Sequence, residues 1–242
     1  MESITKNLKI IRNRIKQACE KANRKPEEVR LLLATKTVSS EHIKFALQQG
    51  EILVGENKVQ ELKQKYNAIN ELKPEIHFIG HLQSNKIKDV IKWASCIESI
   101  DNISIAKKLE KRLIFEKKEI DIYIQVNTSL EKSKFGIAPD EAINLVKEIS
   151  KLKNIHIKGL MTIGLLSSKS TEVRKCFQIL KQLQLDINNL NILNVKINEL
   201  SMGMSGDLEI AIEEGATIVR VGTAIFGERF YPDSYYWNET TP

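Results

Sequence analysis

Along most of the chain, short runs of aliphatic and β-branched residues alternate with stretches whose apolar positions recur every three to four residues. The short runs predict strands: VRLLLATK (29–36), EILVG (51–55), IHFIG (76–80), SCIESI (95–100), IDIYIQVN (120–127), IHIKGLMTI (155–163), VKINELS (195–201) and TIVRVGT (217–223). The longer stretches predict helices, among them 41–50, 102–118 and 139–152. Residues 1–24 predict a further amphipathic helix, with Leu8, Ile11, Ile15 and Ala18 on one face. Gly50 stands where a helix C-cap favours glycine, and Pro139 before Asp140 and Glu141 suits a helix start.

Eight strands alternating with helices leave two architectures, a closed barrel or an open doubly wound sheet. The count of eight favours an α/β fold closed as a single (β/α)8 TIM barrel, spanning 1–227 together with the N-terminal helix. Thr37-Val38-Ser39 follows the first strand, where a dinucleotide-binding sheet would carry a GxGxxG turn. Residues 228–242 read as a surface tail.

Composition narrows the setting. The chain has 242 residues, a length that one β/α barrel fills, with 42% hydrophobic and 28% charged residues. No apolar run approaches the ~20 residues of a membrane span, and charges interrupt every apolar stretch of the first 25, which excludes a signal peptide. Cys19, Cys96 and Cys176 are far apart and lack metal-ligand spacing, as expected of reduced thiols in a cytoplasmic protein. Net charge is +6, but 29 of the 37 basic residues are lysines scattered through every segment. With arginine scarce and no nucleic-acid motif present, this predicts a solvated lysine surface, with no nucleic-acid or membrane partner.

In a β/α barrel the reactive groups gather at the C-terminal ends of the strands. Strand one is expected to end in Lys36, whose stem would be desolvated by the run LLLAT; desolvation favours the neutral amine, a nucleophile toward an aldehyde. A strand-end lysine can equally snorkel to water. Polar residues also close other strands: Asn57 after the second, His81 after the third and Ser201 at the seventh. The stretch Ser201–Ser205 supplies glycine, small hydroxyls and a helix start at Ser205-Gly206-Asp207, which can hold an anion or simply cap a helix. Gly222 and Thr223, ending strand eight, suit a second contact to the same phosphate. That phosphate-holding segment is expected on the opposite side of the barrel from Lys36. Arg220, two residues before Gly222, faces the same side and needs either an ion-pair partner or a ligand.

The motifs ATK (34–36), VGENKVQE (54–61), HFIGHLQSNK (77–86), IQVNTSLEKSKFG (124–136), GLMTIG (159–164) and the segment 200–229 resemble the pyridoxal phosphate homeostasis protein family across nearly the whole chain. The resemblance implies a barrel like the N-terminal domain of alanine racemase, of fold type III, with pyridoxal 5′-phosphate as cofactor. It implies a Schiff base on Lys36, phosphate contacts from Ser205, Gly222 and Thr223, Arg220 at the pyridine nitrogen, and Asn57 near the ring substituents. His81, Ser201 and Met204 are further neighbours by the same resemblance, which also implies a monomer.

An arginine beside the ring nitrogen leaves it unprotonated and weakens the cofactor as an electron sink. Two-base racemisation needs acid–base groups on both faces of the substrate. The sequence after the barrel is too short for a second domain to supply the other face. The expectation is therefore a non-catalytic carrier that buffers the cofactor and passes it to apo-enzymes. An amino-acid racemase with a base from a partner or from the tail tyrosines Tyr231, Tyr235 and Tyr236 is the alternative. Lys58, Lys86 and Lys134 are candidates for a transient second docking point.

Overall fold

The computed structural model describes residues 1–227; the tail expected at 228–242, with its three tyrosines, lies outside the described residues. Eight strands close into a parallel barrel: β1 (Arg30–Ala34), β2 (Leu53–Glu56), β3 (Glu75–Phe78), β4 (Cys96–Ile100), β5 (Ile120–Gln125), β6 (Ile155–Met161), β7 (Glu199–Ser201) and β8 (Ile218–Val221). They pair in chain order, and β8 returns to β1 through Leu33 opposite Val221. Every strand therefore ends at the same mouth.

The helices are α1 (Glu2–Lys21), α2 (Ser40–Gln48), α3 (Val59–Ile69), α4 (Ile87–Trp93), α5 (Ile103–Glu116), α6 (Pro139–Ile149), α7 (Ser170–Asn189), α8 (Leu208–Glu213) and α9 (Thr223–Phe226). Their starts follow local chemistry. The Asn102 side chain accepts from the Ile105 N–H at 2.9 Å to cap α5, and Pro139 opens α6. Gly50 sits just past α2 in the left-handed conformation, φ +98°. The expected face of α1 is buried against the barrel, extended by Ile4 and Cys19. Among the described residues no helix is long and apolar enough to cross a membrane. All three cysteines are buried and free.

Strand boundaries contract relative to the sequence pattern, and two of the contractions matter. Strand β1 stops at Ala34, so Lys36 is not its last residue but lies in the turn that follows. Strand β7 keeps only three of its seven expected residues, because α7 captures the backbone before it. The Gln184 and Asn188 side chains donate to the Ile197 carbonyl at 3.0 and 2.9 Å, and Asn188 Oδ1 accepts the Ile197 N–H at 2.9 Å.

The outer faces of the strands and the inner faces of the helices share one apolar layer. Inside the barrel a second cluster, Leu32, Ala34, Leu53, Cys96, Tyr123, Met161 and Ile218, fills part of the space. The rest of the interior is polar. His77, Glu98, Ser201 and Arg220 are all buried there, where barrels of this type usually pack branched aliphatics.

Candidate functional site

Lys36 is half-buried at the mouth, and the peptides on both sides of it are held. Thr35 is fully buried; its hydroxyl donates to Glu56 Oε1 at 2.6 Å, and its carbonyl accepts from Lys65 Nζ at 2.8 Å. The Thr37 N–H donates to Glu61 Oε2 at 2.7 Å, with Thr37 in the left-handed conformation at φ 66°. Lys65 ties the two carboxylates together, 2.9 Å from Glu56 and 2.7 Å from Glu61. A left-handed threonine is unfavourable, so the conformation needs this external clamp. Burial pushes the Glu56 carboxyl up, against the pull of Lys65 and the Thr35 hydroxyl.

The phosphate candidates gather on the neighbouring strand. Gly222 ends β8 and Thr223 opens α9. A side chain at Gly222 would come within 2.8 Å of the Ala34 carbonyl oxygen, so only glycine lets the backbones approach this closely. The Thr223 hydroxyl donates to Ser205 Oγ at 3.3 Å, which joins the β7–α8 and β8–α9 turns. The expected placement opposite Lys36 is thus corrected: β8 pairs with β1, and the candidate phosphate turn abuts the strand that leads to the lysine. Helix α8 starts later than the pattern suggested. Asp207 is its cap residue, and Ser205 stands two positions earlier. The carboxylate of Asp207, a liability for an anion site, accepts the Met204 N–H at 2.5 Å instead, and burial pushes its pKa up. Met204 itself is half-buried in that loop.

Arg220 is buried, and its guanidinium donates to Ser201 Oγ and to the Thr162 carbonyl, each at 2.7 Å. The Ser201 hydroxyl donates to Glu98 Oε2 at 2.6 Å. Glu98 Oε1 faces His77 Nδ1 at 2.6 Å, and His77 Nε2 faces Glu75 Oε1 at 2.8 Å. Carboxylate oxygens only accept, so both ring nitrogens carry protons and His77 is an imidazolium. Burial opposes that charge, but the two carboxylates outweigh it and raise the His77 pKa to about 9. Glu98 is lowered: burial works against its charge, and His77, Arg220 and Ser201 overcome it.

Asn57 is buried after β2, and its Oδ1 has no hydrogen-bond partner among the described residues. A side chain at Gly80 would strike the Asn57 carbonyl at 2.0 Å, so the β2 and β3 loops meet there without room for one. His81 stacks on Phe135 of the β5–α6 loop, ring centres 4.0 Å apart, with Nδ1 buried and 3.9 Å from Asp101. Lys58 stands just before the first residue of α3, and Lys86 ends a short turn before α4. Lys134 pairs with Glu131 and donates to the Gly164 carbonyl at 2.7 Å.

Several residues here escaped the sequence reading. His77 and Glu98 carried a usable signal, since each is a polar residue on the inward register of an otherwise apolar strand run. Glu61 and Lys65 stand four apart on one helix, which marks a pair but not its target. Arg14 gave none: from α1 it donates to the Ser205 carbonyl at 3.0 Å and to Glu209 at 2.6 Å, partners almost two hundred residues away. Asn7, on the same helix, donates to the Ile225 carbonyl at 3.0 Å.

Comparison with known proteins places this geometry. The family model for the alanine racemase N-terminal domain matches residues 2–230. A pyridoxal phosphate homeostasis protein from Aquifex aeolicus is 41% identical over 218 residues, covering 90% of this chain and 95% of its own. A crystal structure of an unknown protein from Bifidobacterium adolescentis superposes with a TM-score of 0.91 at 38% identity, over 93% of this chain and 95% of that one. PipY from Synechococcus elongatus, solved with PLP bound, gives 0.81 at 28% identity, over 93% of this chain and all of PipY (100%). The chain belongs to the pyridoxal phosphate homeostasis family, built on the alanine racemase N-terminal barrel.

Proposed function

We propose that this chain binds pyridoxal 5′-phosphate through Lys36 and acts as a non-catalytic cytoplasmic carrier, a monomer that buffers the cofactor and passes it to apo-enzymes. The close approach of Gly222 to Ala34 carries this reading. It sets the Ser205–Thr223 hydroxyl pair beside the strand leading to Lys36, so an aldehyde and a phosphate on one small molecule can be met together.

The donor set fits such a molecule. Lys36 would hold its aldehyde carbon as a Schiff base, and Ser205, Thr223 and the backbone at Gly222 would hold its phosphate. Asn57 Oδ1, buried without a partner, would accept from a ring substituent. Arg220 would face the ring nitrogen, with Ser201 fixing its orientation. His81 and Met204 would border the site from the β3 and β7 loops.

When bound, the cofactor supplies an electron sink whose strength depends on a proton at its ring nitrogen. Arginine donates and never accepts, so Arg220 keeps that nitrogen unprotonated and the sink weak. The names of the relatives, PipY with PLP bound and the three free, buried thiols support the same reading.

Protein loaded with pyridoxal phosphate is expected to show a visible band that borohydride bleaches, and Lys36→Ala to lack it. Racemase, decarboxylase and lyase assays on a panel of amino acids are expected to stay silent. Robust turnover abolished by Lys36→Ala would replace the carrier with an enzyme.

A further inference from the structure

Barrel interiors of this type are usually filled by layers of branched aliphatic side chains. This one instead buries the charges of His77, Glu98 and, across the Ser201 hydroxyl, Arg220, and the series continues to the partly exposed Glu75 and Arg30 where the strands begin. Burying charges in the middle of a core is unfavourable unless each is paired and hydrogen-bonded, and apolar residues of similar volume would serve stability as well. The arrangement therefore points to a use other than holding the barrel together.

Its geometry shows where it acts. Ser201 has one O–H and donates it in a hydrogen bond to the Glu98 carboxylate, so its lone pairs are left to accept from Arg220. A neutral Glu98 could donate to Ser201 and turn that hydroxyl around against the guanidinium. His77, protonated and bonded to Glu98 Oε1, keeps Glu98 ionised and fixes its rotamer. The Thr162 carbonyl holds the second guanidinium nitrogen, which sets the plane of Arg220 at the mouth.

We infer that Glu98, held by His77 and acting through the Ser201 hydroxyl, is a positioning residue that fixes the aim of Arg220 at the ring-nitrogen end of bound pyridoxal phosphate. This rests on the cofactor reading above. Neither Glu98 nor His77 touches the cofactor in this scheme.

A double-mutant cycle on the release rate of bound cofactor tests it. Arg220→Gln and Glu98→Gln are each expected to speed release about tenfold, the scale of one lost charge-assisted hydrogen bond. The double variant is expected to match Arg220→Gln alone, because Glu98 has nothing left to position. Ser201→Ala cuts the link while leaving both charges in place, and is expected to reproduce the Glu98→Gln rate; it also serves if Glu98→Gln does not fold. A visible band that becomes pH-dependent in Ser201→Ala, as the ring nitrogen gains access to protons, is the spectroscopic counterpart. Additive effects in the double variant, or release unchanged by Ser201→Ala, would overturn the inference. A wild-type protein that takes up no borohydride-sensitive cofactor would instead defeat the underlying reading before any variant is made.

Discussion

Lys36 stands in a turn held on one side by the buried contact of Thr35 with Glu56 and on the other by the exposed Thr37 N–H on Glu61, and Lys65 joins those two carboxylates. Replacing Lys65 with methionine keeps the stem's packing but strands Glu56 and Glu61 without a counter-charge. Removing one partner of a buried pair typically costs about 3–5 kcal/mol. Urea unfolding of Lys65→Met is expected to show a loss of that order, with some relief because burial already favours protonated Glu56. The borohydride-trapped fraction should fall with it, since the turn presenting Lys36 loses its clamp. A variant equal to wild type in both measurements would mean that the turn holds its own shape. At this scale the sequence singled out Lys36, Arg220 and the Ser205 and Thr223 hydroxyls as candidates, because each is chemically conspicuous near an apolar run. It was silent about the clamp, because Glu56 and Lys65 look like ordinary surface charges until the fold buries them.

Among the elements, α1 has the most unexpected consequence. It packs on α8 and α9 and fastens both turns of the proposed phosphate cradle, through Arg14 to Ser205 and Asn7 to Ile225. The paired variant Asn7→Ala, Arg14→Ala is therefore expected to weaken pyridoxal phosphate binding about three- to tenfold, each lost hydrogen bond contributing roughly 1 kcal/mol or less. Equilibrium dialysis with pyridoxal, which has no phosphate, is the control: its binding should not change. Equal losses for both ligands would assign α1 a general role in stability. The amphipathic period announced that α1 would pack, but period alone cannot say against what. Similarly, the apolar pattern located β7 and overstated its length, because the competition from Gln184 and Asn188 is tertiary.

At the scale of the whole molecule, the charged series through the barrel couples stability to pH. His77 titrates at about 9 in the folded protein against 6.5 ordinarily, so its contribution is complete below 6.5 and lost as pH rises through 9. A shift of that size corresponds to about 3 kcal/mol. Glu75 moves the other way, to about 2: the His77 hydrogen bond lowers it most, burial opposes, and Arg30 adds to the lowering. Its contribution is present above 4.5 and fades as pH falls toward 2. The two share one contact and do not simply add, but together they predict greatest stability between about pH 5 and 6.5. Comparing wild type with His77→Gln by urea unfolding at pH 6 and pH 10 isolates the histidine. The gap between them should narrow markedly at pH 10, and a constant gap would show that His77 does not lose a proton between pH 6 and pH 10.

Hydrophobic periodicity alone determined the class of this protein. Eight apolar runs spaced by helical stretches bury both faces as a sheet flanked by helices, and the count of eight favours closing that sheet into a barrel. The chemical identity of Lys36 and of the hydroxyls near residues 205 and 223 was likewise legible, since those groups are unusual where they stand. What tertiary structure decided was adjacency. Closure of β8 onto β1 moved the candidate phosphate turn from the far side of the barrel to the neighbourhood of the lysine. Folding also converted scattered charges, Glu56 with Lys65 and His77 with Glu98, into buried partners. Local sequence records which groups a residue carries, but desolvation and Coulomb attraction depend on neighbours that only the closed fold supplies.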